Sequence, residues 1–223
     1  MQKNTRVRNV YRFMLMAMVI GLWLSGCSAA TERMHPRFPD YRQTMGTMLV
    51  PVPEIGIVEK MPDGSRIYEE ASSHEARRIA QQAIVKQLRN RRFRALPVDA
   101  DSLPEDEMAS IRSLFRSVNR SIQLHTIGPQ VFPSQKAAFD YQLGPVTGIL
   151  KTRLADGLVL AIGHQTGSDR PARNWISIAV VEPGGRIIWY GIHGDHERFD
   201  LKTAEGVNAL VAAAMANFWE QGS

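Results

Sequence analysis

What most restricts the fold of this chain is the order in which its apolar patterns change beyond residue 45. Thr47-Met-Leu-Val-Pro-Val52 is a short apolar run of strand type, and Ile55 to Val58 can extend it. Pro51 marks an edge position or an early end, because proline brings no N–H to a ladder. Met61-Pro-Asp-Gly-Ser65 is a turn by its Pro-Asp-Gly. Ser72 or Ser73 can then cap a helix in which Ala76, Ile79, Ala80, Ala83, Ile84 and Leu88 recur at helical spacing. Phe93 to Val98 reads as the next strand.

The second half changes rhythm. Ser102-Leu-Pro-Glu105 has the spacing of a capping box, with proline inside the first turn. Met108, Ile111, Phe115, Val118 and Ile122 follow on one helical face. Ile127 to Pro133 is a loop, Ser134 can cap a short helical piece through Tyr141, and Pro145 opens another through Leu154. Gly157 to His164 is a buried strand by its unbroken apolar run. Trp175 to Val181 and Arg186 to Ile192 are strands joined at Glu182-Pro-Gly-Gly185, which makes a hairpin. Val207, Leu210, Val211, Ala214, Met215 and Phe218 form the stripe of a last helix that Asp200 or Thr203 can cap. Alternating units followed by a meander predict an α/β (α+β) fold. Its single mixed sheet carries helices packed on it, in the order β-α-β-α-α-β-β-β-α, over one domain from 46 to 223.

The N-terminus obeys a different pattern. Lys3, Arg6, Arg8 and Arg12 precede the uncharged run Phe13 to Leu24, and small residues then lead into Cys27, the one cysteine of the chain. A basic start, an apolar run and small residues are the order of an export signal. The run is shorter than the roughly 20 residues that span a bilayer comfortably. Of the 27 lysines and arginines, those four lie within 1–26, where no acid does, so 23 basic residues face 22 acidic ones in the remainder. The formal charge of +5 therefore gives no evidence for nucleic-acid binding. With no second cysteine, the domain must be stable without disulfides. Residues 28–45, with Pro36, Pro39 and scattered charges, read as a flexible tether.

Leu24-Ser25-Gly26-Cys27 resembles the lipobox of bacterial lipoproteins. The resemblance implies a signal peptide over 1–26 and diacylglyceryl and acyl groups on Cys27, giving a palmitate-type anchor. Ser28, which is not Asp, implies sorting to the outer membrane, facing the periplasm. The alternatives are an ordinary secretory signal with a chance cysteine at the cleavage site and an uncleaved N-terminal helix. The domain is similar to a group of envelope lipoprotein domains. These are the curli-secretion lipoprotein, the lipoprotein activators of class A penicillin-binding proteins, and the N-terminal domain of the Tol system's propeller protein. The residues that carry this are the small-residue helix leading to Arg92-Phe93-Arg94, the strand after Ala155-Asp156-Gly157, and the hairpin Gly184-Gly185-Arg-Ile-Ile-Trp189. Such folds hold different jobs, so it is the lipobox, the tether and the absence of a catalytic constellation that point to a non-enzymatic binding or accessory factor for an envelope protein assembly.

Two further readings stay open. His164, His193, Asp195 and His196 are imidazole and carboxylate ligands of the kind zinc takes, at the ends of two strands, and would suit a metal-dependent hydrolase. The bland reading is a polar loop after the hairpin, with no metal or other cofactor. A structural role in an oligomer is the third possibility. Arg89, Arg91, Arg92 and Arg94 form the densest basic patch, and Trp175 and Trp189 can face one another across the hairpin. Either group is an interaction surface if exposed and a packing or solvation feature if not.

Overall fold

The computed structural model describes residues 31–99, 102–127, 139–167, 173–195 and 199–219. Its strands are β1 (Thr31–Met34), β2 (Thr47–Pro51), β3 (Glu54–Lys60), β4 (Arg66–Tyr68), β5 (Arg94–Val98), β6 (Gly157–Gly167), β7 (Arg173–Val181) and β8 (Ile187–Asp195). Its helices are α1 (Phe38–Thr44), α2 (Glu70–Asn90), α3 (Glu105–Ile122), α4 (Thr147–Arg153) and α5 (Ala204–Ala214), and a π-turn, Gln123–Ile127, continues α3. The strands form one mixed sheet in the order β1-β8-β7-β6-β2-β5. The expected fold class and the element order from Thr47 onward are therefore present, with β4 added and the first strand split.

That split shapes the molecule. β2 and β3 both run parallel to β6, through Met48–Leu49 against Gly157–Leu158 and then Glu54–Glu59 against Ile162–Gly167. Between them the chain jogs at Val52-Pro53. On the outer side β2 pairs with β5 and β3 pairs with β4, so the sheet forks beyond β6. Pro51 ends β2 as expected, but β2 is not an edge, because β5 and β6 flank it. Proline is tolerated there because the β6 ladder has already finished at Leu49.

Strand alternation sends side chains to two cores. Met48, Val50, Val159 and Ala161 meet α1, α2 and α5, whereas Leu49, Leu158 and Leu160 meet α3 and α4. The stripes predicted for α2, α3 and α5 lie on the buried faces of those helices, with Val118 only partly buried and with Met215 and Phe218 buried just beyond the end of α5. At the β7–β8 hairpin, Val181 pairs with Ile187 and Val180 with Trp189, so Ile188 is an extra residue and both it and Trp189 join the first core. The hairpin turn needs Gly185, whose φ is +91°. Gly191 is a close approach: a Cβ there would lie 2.4 Å from the Ala214 carbonyl oxygen of α5.

Three local expectations are corrected. Residues 31–45 of the predicted tether are folded: β1 pairs antiparallel with β8, and Phe38, which opens α1, and Met45, which follows it, are buried. Met34 and Tyr41 pack against the same core, and Pro36 and Pro39 interrupt the spacing of these residues in sequence. α2 starts at Glu70, since Ser73 is inside the helix with its Oγ accepting from the Ile57 N–H. Ser102 does not cap α3, which begins after Pro104; its hydroxyl donates to the Asp99 carbonyl instead. Thr203 does cap α5, accepting from the Gly206 N–H at 3.0 Å. No helix among the described residues is long and apolar enough to cross a membrane.

Candidate functional site

Where the sheet forks, the outer edge of β3 is left uncovered between the carboxyl end of β5 and the carboxyl end of β4. Helix α2 closes the seam with polar side chains spaced four apart. Ser73 accepts from the Ile57 N–H, Arg77 Nε donates to the Ile55 carbonyl at 3.0 Å, and Gln81 Nε2 donates to the carbonyls of Val50 and Val98 at 2.9 and 3.1 Å. Gln81 thereby ties β2 to β5 at the point where they part. Four-residue spacing places the three on one stripe of the helix.

Past that ladder lies a notch of about 490 Å³ on the α3 side, lined by Val52 to Gly56, Tyr68, Arg77, Arg112, Arg116 and Ile162. It sits outside the carboxyl ends of β2 and β5, where strand order departs from sequence order; open α/β sheets commonly bind ligands at such a place. Arg116 grips Glu54 with both ends of its fork, Nε to Oε2 at 2.7 Å and Nη2 to Oε1 at 3.0 Å. That pairing raises the Arg116 pKa above its ordinary value. Arg77 also donates to the Tyr68 hydroxyl. Arg112, one turn before Arg116 on α3, has no hydrogen-bond or ion-pair partner among the described residues. The notch therefore combines three guanidinium groups with one carboxylate, and its bound Glu54 shows how a planar carboxylate sits there.

His164 borders this site. It pairs with Gly56, and a Cβ on Gly56 would lie 3.5 Å from the Tyr68 ring and 3.8 Å from His164 Nδ1. His164 Nε2 is 2.7 Å from the Thr166 hydroxyl. Burial, and secondarily the Arg66 cation, hold its pKa below the ordinary histidine value.

The predicted histidine cluster does not assemble as expected. His164 pairs with Trp175, which pairs with Gly194, whereas His193 pairs with Ile176 in the adjacent row. Neighbouring rows point to opposite faces, so the two imidazoles diverge although their strand ends are close. His193 is buried on the α5 side, its ring 5.4 Å from that of Phe199. Among the described residues no three His, Cys, Asp or Glu side chains come together as metal ligands. His196, and the side chain of Asp195, lie outside them, as does Cys27.

The tryptophans also part. Trp175 lies opposite Gly194 and is half-buried, while Trp189 is fully buried against Phe218, ring centroids 4.7 Å apart. They do not face one another, because four residue pairs separate the Trp175–Gly194 pair from the Val180–Trp189 pair. In the basic patch, Arg91 reaches the carbonyls of Met215 and Phe218 at 2.7 and 2.8 Å and so closes the end of α5. Arg89 touches the Ala95 carbonyl at 3.4 Å and, like Arg92 and Arg94, is exposed. The notch arginines escaped notice in the sequence because Arg112 and Arg116 lie on the polar face of α3. The four-residue spacing of the pair was the available signal.

No family model matches this sequence, and no curated protein matches it. Among solved structures it is similar to the lipoprotein GNA1162 from Neisseria meningitidis, at 11% identity over 79% of this chain and 98% of that one, with a TM-score of 0.35. It is also similar to the LpoB C-terminal domain from Salmonella enterica, at 15% identity over 74% and 96% of the two chains, with a TM-score of 0.28. The LpoB C-terminal domain from Escherichia coli gives 14%, 71% and 93%, with a TM-score of 0.26.

Proposed function

We propose that this chain is a non-enzymatic, lipid-anchored envelope protein that acts as a binding or accessory factor for an envelope protein assembly. The observation that carries this is the order of basic residues, apolar run and small residues ending at Cys27. In this reading the lipid sits on Cys27, and Ser28 directs the protein to the periplasmic face of the outer membrane. Acyl chains contribute about 0.8 kcal/mol per buried methylene, enough for several of them to hold a water-soluble body.

The folded start at Thr31 changes what such an anchor does. With β1 beginning at Thr31, the chain from Cys27 can reach at most about 14 Å, instead of the roughly 60 Å that a tether to Met45 would give. The domain therefore works close to its membrane. A partner surface is available at the β3–β4 hairpin, where Ile67 and Tyr68 are 47% and 44% exposed beside the notch. Exposed apolar groups beside a charged cleft fit a protein-binding role.

Palmitate labelling of cells expressing the wild type and Cys27→Ser tests the anchor. Label in the wild type, absent from the variant and accompanied by a globomycin-sensitive shift in mobility, is the expected result. An unlabelled wild type overturns the reading.

A further inference from the structure

We propose that the notch receives a carboxylate carried on an extended peptide segment of a partner protein, with Arg112 as its receptor. Three observations carry this. Arg112 presents a fork with no partner among the described residues, one helical turn from an arginine that already holds a carboxylate in bidentate fashion. Arg77, fixed at Nε by the Ile55 carbonyl and at Nη2 by Tyr68, adds a second positive wall. Val52, Pro53, Ile55 and Ile162 supply apolar lining between the charges.

The charge balance selects the ligand. Three arginines against Glu54 leave a net charge of two, positive, and the Glu54 carboxylate lines the same space. A singly charged planar carboxylate meets less repulsion there than a phosphate dianion and matches the guanidinium fork. The apolar lining takes the neighbouring side chains of a peptide, which a free phosphate lacks. The source of that peptide rests on the accessory-factor reading; the chemistry of the notch does not.

The test is fluorescence anisotropy of the full chain in detergent with a labelled peptide of alternating Glu and Val. The Glu/Val peptide binds, and its Gln/Val counterpart binds at least about tenfold more weakly, as the loss of a charged hydrogen-bonded pair implies. Arg112→Gln weakens binding about tenfold, and Arg112→Lys, which keeps the charge without the fork, falls between. Arg120→Gln, an exposed arginine of the same helix outside the notch, leaves affinity within about twofold of the wild type. Melting temperatures of the variants confirm folding, since Arg112 has no hydrogen-bond or ion-pair partner among the described residues to lose.

Equal losses for Arg112→Gln and Arg120→Gln would reduce the effect to diffuse charge and overturn the proposal. So would the absence of Glu/Val binding, or Arg112-dependent binding of inorganic phosphate or phosphatidylglycerol vesicles at least as tight as that of the peptide. Palmitate labelling separates this inference from the anchor. A labelled chain indifferent to the peptide removes the notch assignment alone, and an unlabelled chain that binds the peptide removes the anchor alone.

Discussion

On the face covered by α1, α2 and α5, helix side chains reach the backbone of the sheet; on the face covered by α3 and α4, a helix side chain reaches side chains of the strands. In the first, Ser73, Arg77 and Gln81 satisfy strand groups at the fork, Gln165 holds the Leu201 N–H before α5, and an apolar cluster surrounds Trp189 and Phe218. In the second, Asn119 Oδ1 accepts from the Ser177 and Tyr190 hydroxyls at 2.8 and 2.7 Å inside an otherwise apolar core. Burial pushes the Tyr190 pKa up, so its phenol stays protonated and available as donor. The first arrangement holds strands to a helix, while the second fixes α3, and with it Arg112 and Arg116, in one position above the sheet.

Substitutions at the two cores should separate these roles. Phe218→Ala opens a cavity among Trp189, Phe93 and Trp219 and is expected to cost about 3–5 kcal/mol in denaturant unfolding. Asn119→Ala is expected to cost less, about 1–3 kcal/mol, chiefly by leaving the buried Tyr190 hydroxyl without its acceptor and the Ser177 hydroxyl with only the Ile162 carbonyl at 3.4 Å. The triple change Asn119→Leu, Ser177→Ala and Tyr190→Phe should lose less than Asn119→Ala, because no donor is then stranded. If the triple variant is the weaker one, the network is held by shape and not by polar satisfaction, and the contrast between the faces fails.

Local periodicity made both cores legible before the fork was. The stripes of α2, α3 and α5 depend on residues a few positions apart, and each proved buried. The fork depends on where Val52-Pro53 breaks one ladder and on which neighbours then pair, a contact between β3 and β6 more than 100 residues away in sequence. Gln81 shows the same limit: in sequence it is a polar gap in a stripe, and only the divergence of β2 from β5 gives it two carbonyls to hold. His164 and His193 look like ligands at the ends of two strands of one meander, two spacings apart. A one-residue difference in register, invisible to composition, sends them to opposite faces.

Acid should weaken the molecule through groups on its polar side. His164 titrates below the ordinary histidine value because of burial and then Arg66, so the unfolded chain takes up the proton more readily than the native state. Its contribution is complete above the unfolded pKa of about 6.5 and is lost as pH falls from there toward the depressed native value. His35, lowered by burial and then by Arg186, acts in the same direction, and protonation at Nδ1 would also break the bond from the Arg37 N–H. Melting temperatures followed from pH 7.5 to 5 should fall less steeply for His164→Asn than for the wild type. An identical slope would show that the histidine is as accessible to protons folded as unfolded.

The smallest effect concerns the notch itself. Arg116 is 61% exposed, and its pair with Glu54 should contribute no more than about 1 kcal/mol, so Arg116→Gln is expected to shift the melting temperature only slightly. Arg77→Gln should shift it more, because Arg77 is half-buried and its loss leaves the Ile55 carbonyl without its side-chain donor at the open edge of β3. That ordering distinguishes an arginine that belongs to the fold from arginines that are merely carried by it. If Arg116→Gln instead destabilises as strongly as Asn119→Ala, the Glu54 pair is a structural strut joining α3 to β3. Its occupied fork would then no longer serve as the template for how a partner carboxylate lies against Arg112.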